Sequence, residues 1–459
     1  MLDPIQFLSD YISFKSVSAD TRYKDQVIQS HNFIANILKK LNFTVKSCRT
    51  NHYPVILAKR HPNPKWPTIL VYGHYDVQPA DPFEKWSSPP FSPTLRNDRI
   101  YGRGASDNKG SQVVHICALE QALISCPDLP LNITYLIEGE EEIGSPSFAS
   151  FLEKHQKDLQ GEFILVSDTA IPNSEQIVIT TGLRGLVTLE IILQGPAFDL
   201  HSGVHGGAVR NPIQALCNLL SNLHNKEGRI LVEGYYDKVM APSDWERQSL
   251  SSLQNDLISY QKFLNVPEFF TENPYDPQEA VRFRPTLEIN GISGGYQGKG
   301  FKTVIPSQAS AKISCRLVPN QRASDIQDKI RNHLEQNCPR GTTVKILLKD
   351  GGDPYCIIPG NKPGSEKRQN PHLKRAFKIA EQEISNIFKN PPLFLREGGS
   401  IPIIADLKKI VGLDSLMIGL TDLEDKIHSP NESYSIPFMK KGINLFKEFF
   451  LKLAFKDLQ

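Results

Sequence analysis

The sequence predicts an α/β fold, a mostly parallel sheet with helices on both faces, interrupted by an inserted α+β domain of β-α-β-β-α-β order. Three observations carry this prediction. Short β-branched runs alternate with helix-period segments over the first part of the chain, the pattern changes after Gly182-Leu183-Arg184-Gly185, and α/β character returns from about residue 365. The boundaries that follow are 1–184 and 361–459 for the two parts of one domain and 185–360 for the domain inserted between them.

Asp3-Pro4 supplies a cap and a first-turn proline for an opening helix, and Val27, Ile34, Leu38 and Leu41 mark the apolar face of the next. Val55 to Ala58, Ile69 to Tyr72, Ile133 to Ile137 and Phe163 to Val166 are too short for helices and read as buried strands. In the insertion the order is strand Val187 to Leu193, helix about 211–223, strands Pro285 to Ile289 and Ala309 to Leu317, helix about 323–336 and strand Thr343 to Leu348. The polar stretch from about 225 to 280, with its Trp and Tyr residues, is too long for a simple loop and is expected to be partly helical. A helix around Leu373 to Ile387, a strand at Leu416 to Leu420 and an amphipathic helix after Pro437 complete the chain.

With 459 residues, 39% of them hydrophobic, the chain is long enough for more than one core. A formal charge of only +2, with Lys and Arg dispersed, argues against a nucleic-acid or membrane partner. No apolar run approaches the roughly 20 residues that cross a bilayer, and Asp3 and Asp10 do not suit a secretion leader, so a cytoplasmic location is expected. Seven scattered cysteines without a C-x-x-C pair read as reduced thiols.

Chemistry concentrates at the ends of predicted strands, where open α/β sheets bind ligands. His74 and Asp76 follow one strand, Glu140-Glu141-Glu142 a second, and Asp168 a third; Asp107 sits in a glycine-rich turn before a helix, and His428 in a late loop. Singly, each has an ordinary explanation as a turn or cap residue, and three consecutive glutamates as a solvated surface. Together they crowd negative charge at one sheet edge, which is costly unless cations neutralise it.

Several segments also match a known family. Gly73-His74-Tyr75-Asp76-Val77-Gln78-Pro79, Gly102 to Gly110, Glu141-Glu142-Ile143-Gly144-Ser145 and Ser167-Asp168 are followed by Asp199 to Gly203, Thr303 to Pro306, Arg316 to Pro319, Arg396 to Pro402 and His428-Ser429. In this order they resemble the motifs of the aminoacylase, carnosinase and glutamate carboxypeptidase family of dinuclear zinc metallopeptidases, and most of all its carnosinase-type dipeptidases. The resemblance implies that His74 and Asp168 hold one metal, Glu142 and His428 the other, and Asp107 bridges both. It implies Zn as the cofactor, two ions per chain, with Mn or Co able to occupy the same donors.

The resemblance further makes Glu141 the general base toward metal-bound water, Asp76 the residue that orients His74, and Glu140 structural or outer-shell. His201 and Arg316 match an oxyanion-stabilising histidine and an arginine that grips a substrate carboxylate, while Thr303 and Ser400 match further substrate contacts. The inserted domain becomes a lid and dimerisation domain that lends His201 to a partner subunit, so a homodimer is implied. Glu140, Ile143, Thr169 and Pro430 depart from the pattern and bear on the pocket rather than on the ligands.

The function implied is metal-dependent hydrolysis of dipeptides or similar small peptides with a free C-terminus. An N-acyl amino acid deacylase or a carboxypeptidase would use the same residues. A catalytically silent binding protein is a different class, marked by loss of a ligand or base, and His74, Asp107, Glu141, Glu142, Asp168 and His428 are all present.

Overall fold

In a computed structural model that describes residues 1–254, 257–360, 362–365 and 369–455, the alternating apolar runs resolve into two units. The first comprises Met1–Thr181, Ile357–Leu395 and Asp406–Gln459, and the second Gly182–Cys356 with Arg396–Ala405. Residue 361, where the sequence suggests that the first domain resumes, lies outside the described residues.

The first unit is organised on one sheet. From one margin inward, Thr44–Cys48 pairs with Val55–Arg60, then come Asn132–Glu138, Thr68–His74, Phe163–Val166 and Ser415–Ile418, with Val178–Leu183 beyond. The four strands from Asn132–Glu138 to Ser415–Ile418 run parallel, whereas the pairings flanking them are antiparallel. Val55–Arg60, read from its apolar run as a buried strand of this mostly parallel sheet, is among those antiparallel neighbours. Asn132–Glu138 and Phe163–Val166 are buried at every residue, which requires cover on both faces and explains their unbroken apolar runs.

Lys109–Ser125, buried almost all round, packs against Thr68–His74 and against Ile436–Ala454. Caps set where the outer helices begin. Asp3 accepts hydrogen bonds from the amides of Ile5 and Gln6 ahead of Pro4, and Asn370 does the same for His372 and Leu373 ahead of Pro371.

The second unit carries an antiparallel sheet ordered Thr286–Gly294, Gln308–Leu317, Gly185–Gln194, Thr343–Gly352. Burial alternates strictly along Gly185–Gln194, so Val187, Leu189, Ile191 and Leu193 share a core with Leu216 and Leu219 of helix Pro212–Ser221 and Ile326 and Ile330 of helix Ala323–Gln336. Residues of opposite parity, Arg316 and Ser314 among them, face the other way. The long polar insertion contains helices Asp244–Gln254, Leu257–Leu264 and Pro277–Phe283.

Leu70 lies fully buried in the middle of the parallel strands. Leu70→Ala is expected to cost about 2–5 kcal/mol through lost burial and the cavity left behind. Calorimetry should show this as a lowered Tm for the transition of the first unit, and an unchanged profile would contradict the packing described.

Candidate metal centre

Parallel register brings the chemistry together. His74 lies opposite Glu138, Tyr72 opposite Val166, and Met417 opposite Val166, so the loops after these strands leave from the same sheet edge. One loop carries His74 and Asp76, the next Glu140 to Glu142, the third Asp168, and the last leads through Thr421–Asp422 to His428. Asp107 stands two residues before the helix Lys109–Ser125 and closes the group.

Asp107 is the centre of this geometry. Its Oδ1 lies 3.1 Å from His74 Nε2, and its Oδ2 lies 2.9 Å from His428 Nε2. Asp168 Oδ2 is 3.8 Å from His74 Nε2, whereas Glu142 Oε2 is 3.3 Å from His428 Nε2. Each oxygen of one carboxylate therefore faces a different imidazole, and each imidazole has a further carboxylate of its own. His74, Asp107 and Glu142 offer ligand atoms that all lie within 4.8 Å of one another. This imidazole and carboxylate donor set fits a divalent cation such as Zn²⁺ or Mn²⁺.

Glu141 differs from its neighbour in direction: its Oε2 is 4.0 Å from His74 Nε2, while Glu142 turns toward His428. Glu140 turns inward, accepting from Thr50 Oγ1 and the amides of Tyr53 and Ser147. Three consecutive glutamates thus have three different surroundings. Asp76 is fully buried, with Oδ1 3.3 Å from His74 Nδ1 and Oδ2 accepting from Ser18 Oγ and the Glu142 amide.

Burial would lower the pKa of His74, but hydrogen bonds with Asp107, Asp168 and Asp76 raise it well above the usual imidazole range. Hydrogen bonds with Asp107 and Glu142 push His428 up to about 10. Burial and then the Asp107 charge push Glu142 up to about 7, and burial holds Glu141 well above an ordinary carboxylate. Asp107 goes the other way: burial opposes its charge, but the two histidines hold it well below the carboxylate range. Protons on the imidazoles and glutamates answer the crowded negative charge, and a divalent cation would displace them.

Several supporting residues escaped the sequence reading. Glu432, fully buried, accepts from Arg103 Nη1 at 2.7 Å and from the amides of Gly104, Ser106 and Asp107 at 2.8, 3.0 and 3.1 Å. It fixes the turn that presents Asp107. Gln78 Nε2 donates to Glu142 Oε2, and Asn108 Nδ2 to Asp168 Oδ1, both at 2.8 Å. Gln78 and Asn108 lie inside conspicuous motifs, which was the available signal; nothing around Glu432 announces a buried carboxylate.

The second unit holds the remaining candidates in two places. His201 pairs with Val304, beside Thr303, in a two-strand ladder, and its Nδ1 accepts from the Gly203 amide; both His201 and Thr303 are exposed. Arg316 Nη1 donates to Ser400 Oγ at 2.8 Å, and Ser400 Oγ in turn donates to the Arg184 carbonyl. Arg184, noted in sequence only as part of a boundary, is thereby joined to this group.

A covered α/β sheet that gathers imidazoles and carboxylates at one edge is built as metal-dependent hydrolases are. A family model described as peptidase family M20/M25/M40 matches residues 70–452. Human Beta-Ala-His dipeptidase is 30% identical over 98% of this chain and 90% of its own length, and the Cys-Gly metallodipeptidase dug1 of Schizosaccharomyces pombe is 29% identical over 97% and 94%. The crystal structure of an M20 family metallo-carboxypeptidase, Sso-CP2 from Sulfolobus solfataricus, superposes with a TM-score of 0.86 at 29% identity, covering 99% of this chain and all of that one. The chain belongs to peptidase family M20/M25/M40.

Glu432→Gln removes the charge opposite Arg103 in a dry interior and turns an acceptor toward donation against backbone amides. The expected cost is about 3–5 kcal/mol. Chemical denaturation checks this, and stability equal to the parent would mean that Glu432 does not hold the turn.

Proposed function

We propose that the protein is a dinuclear metal-dependent dipeptidase, hydrolysing the amide bond of dipeptides or similar small peptides that end in a free carboxylate. The observation that carries this reading is the arrangement of Asp107, with one oxygen on His74 and the other on His428. His74 and Asp168 would hold one ion, Glu142 and His428 the other, and Asp107 both, with zinc the best match and manganese or cobalt compatible. When bound, two such cations neutralise the carboxylates, polarise a scissile carbonyl and make water more acidic.

The residues of the chain supply the rest. Glu141, held above the ordinary carboxylate range by burial, takes a proton from water and returns it to the leaving amine. Asp76 fixes the ring of His74. His201 steadies the developing oxyanion, and Arg316, with Ser400 and Thr303, receives the substrate carboxylate. Residues 1–184 and 361–459 act as the catalytic domain, and 185–360 as lid and dimerisation domain. The dipeptides in the names of the two relatives support this substrate size. Likeness to a metallo-carboxypeptidase supports a second reading, action on longer peptides. Rates on a series of two to five residues separate the two readings, since a dipeptidase loses activity as the chain grows.

The same proposal makes the enzyme a cytoplasmic homodimer. Free thiols at all seven cysteines are compatible with that compartment, and among the described residues no helix is long and apolar enough to cross a membrane. Exposed Phe198, Val204 and Phe301, close in sequence to His201 and Thr303, give the second domain an apolar surface suited to a partner.

Elemental analysis should find about two divalent ions per chain at saturation, and chelation should abolish hydrolysis. Glu141→Ala should retain both ions while losing on the order of 10² to 10⁴ in kcat, whereas Glu142→Ala should lose an ion. Full activity with a single equivalent, or an active Glu141→Ala beside an inactive Glu140→Ala, would overturn these assignments.

Mixing tests the exchange of His201. A His201→Ala chain and a Glu141→Ala chain, each inactive, should regain partial activity when refolded together as a heterodimer. A fully active monomer would refute it.

A further inference from the structure

The His428 ring is half exposed, and among the described residues only Asp107 and Glu142, both candidate ligands, pair with it. Packing does little to fix such a ring, so its direction is set by the backbone that carries it. That backbone lies in the left-handed region at Lys426, His428 and Asn431, with φ of 54°, 57° and 66°. Residues with a Cβ keep this conformation where the surroundings over-determine it.

The support is built into the base of the loop. Asp425, 2% exposed, ends the short turn Leu423–Asp425 that leads into it. Its Oδ2 accepts from Ser106 Oγ at 2.8 Å and from the Asp422 amide at 2.9 Å, and its Oδ1 accepts from Arg99 Nη2. Arg99 also reaches the far end of the loop: its Nε donates to Ser433 Oγ at 2.8 Å, and Arg99–Tyr101 pairs with Ser433–Ser435. One guanidinium thus joins the residue that enters the loop to a residue that follows it. Farther out, Asn431 Oδ1 accepts from the Ser87 amide at 2.7 Å, and its Nδ2 donates to the Lys85 carbonyl.

Ser106 immediately precedes Asp107. The carboxylate that anchors the His428 loop therefore also holds the turn presenting the acid that His428 faces. Glu432 binds the amides of that turn, whereas Asp425 ties the approach to His428 to it. Burial pushes Asp425 up to about 7, opposed by the Asp422 amide, the Arg99 charge and the Ser106 hydroxyl. Donors on several sides keep this buried acid in one place.

We propose that Asp425 is a positioning residue for the metal centre. By fixing the base of the 426–432 loop to Ser106 and Arg99 it sets His428 against Asp107. It thereby governs affinity for the ion held by Glu142 and His428, and leaves the ion held by His74 and Asp168 unaffected. This rests on the dinuclear reading and deepens it.

Two measurements on the full-length protein test it. In the first, the chain stripped of metal is titrated calorimetrically with Zn²⁺ against a competing chelator. Asp425→Asn, which keeps the shape and loses the charge, should weaken one of the two ions by about ten- to a hundredfold and leave the other at parent affinity. Ser106→Ala, a milder change, should weaken the same ion by a smaller factor, and it decides the matter alone if Asp425→Asn does not fold. That ion is the one that Glu142→Ala abolishes, so Asp425→Asn added to Glu142→Ala should not alter the ion that remains. Leu38→Ala, a truncation of a fully buried side chain in helix Lys24–Lys40, should lower Tm without separating the two affinities. A merely structural role for Asp425 predicts the same of Asp425→Asn. In the second measurement, the imidazole nitrogen-15 shifts of the metal-free protein should move for His428 in Asp425→Asn and Ser106→Ala and stay in place for His74.

Two ions held at parent affinity or weakened equally, with the His428 shifts unmoved, overturn the role of Asp425 and leave the dinuclear reading standing. One ion only in the parent, with the His428 shifts moved by both variants, upholds the positioning and overturns the reading. One ion only, with those shifts unmoved, overturns both.

Discussion

The first unit depends on placing several carboxylates and two imidazoles at one sheet edge without letting their repulsion open it. Four parallel strands solve the geometric half of the problem, because parallel register makes their following loops emerge together. The electrostatic half is met locally. Several acids near the centre have an assigned donor or counter-charge: Gln78 for Glu142, Asn108 for Asp168, Ser18 for Asp76, and Arg103 with three amides for Glu432. Fixed donors of this kind hold charged side chains in one rotamer each, which is what a small cation requires of its ligands.

Outward from this centre the packing serves position more than shape. Glu140 spends its carboxylate on Thr50, Tyr53 and Ser147, so the loop bearing Glu141 and Glu142 is tied to the segment before Val55–Arg60 and to the start of the helix that follows. The Tyr72 hydroxyl donates to Glu138, which burial pushes up to about 8, at the end of the strand that leads into the same loop. Loss of any of these ties would loosen the site without touching a residue that meets a ligand.

Much of this was legible in the sequence because it depends on local pattern. Apolar runs such as Phe163 to Val166 are strands because nothing else of that length buries itself on both faces, and Asp3-Pro4 states its helix start directly. The gathering of His74, Asp107, Glu141, Glu142, Asp168 and His428 was legible as motifs at strand ends. Direction was harder to read. Whether Val55–Arg60 runs with or against Asn132–Glu138 depends on a long-range pairing that an apolar run does not encode. Glu432 and Arg184 were illegible for a related reason: a charged residue in a loop reads as solvated until the fold closes over it. Only tertiary structure turns Glu432 toward amides near position 104, or leaves Arg184 beside a second guanidinium.

Asp107 and His428 meet across 321 residues of chain, and Glu432 binds the Asp107 turn from nearly as far. During synthesis the segments bearing His74, Glu142 and Asp168 emerge well before the histidine opposite Glu142 and the carboxylate that sets the turn. A chain made only as far as Asp168 can present only part of this grouping, without the imidazole opposite Glu142. The grouping around Asp107 is in this sense a readout of how far synthesis has gone, since it joins residues 321 positions apart.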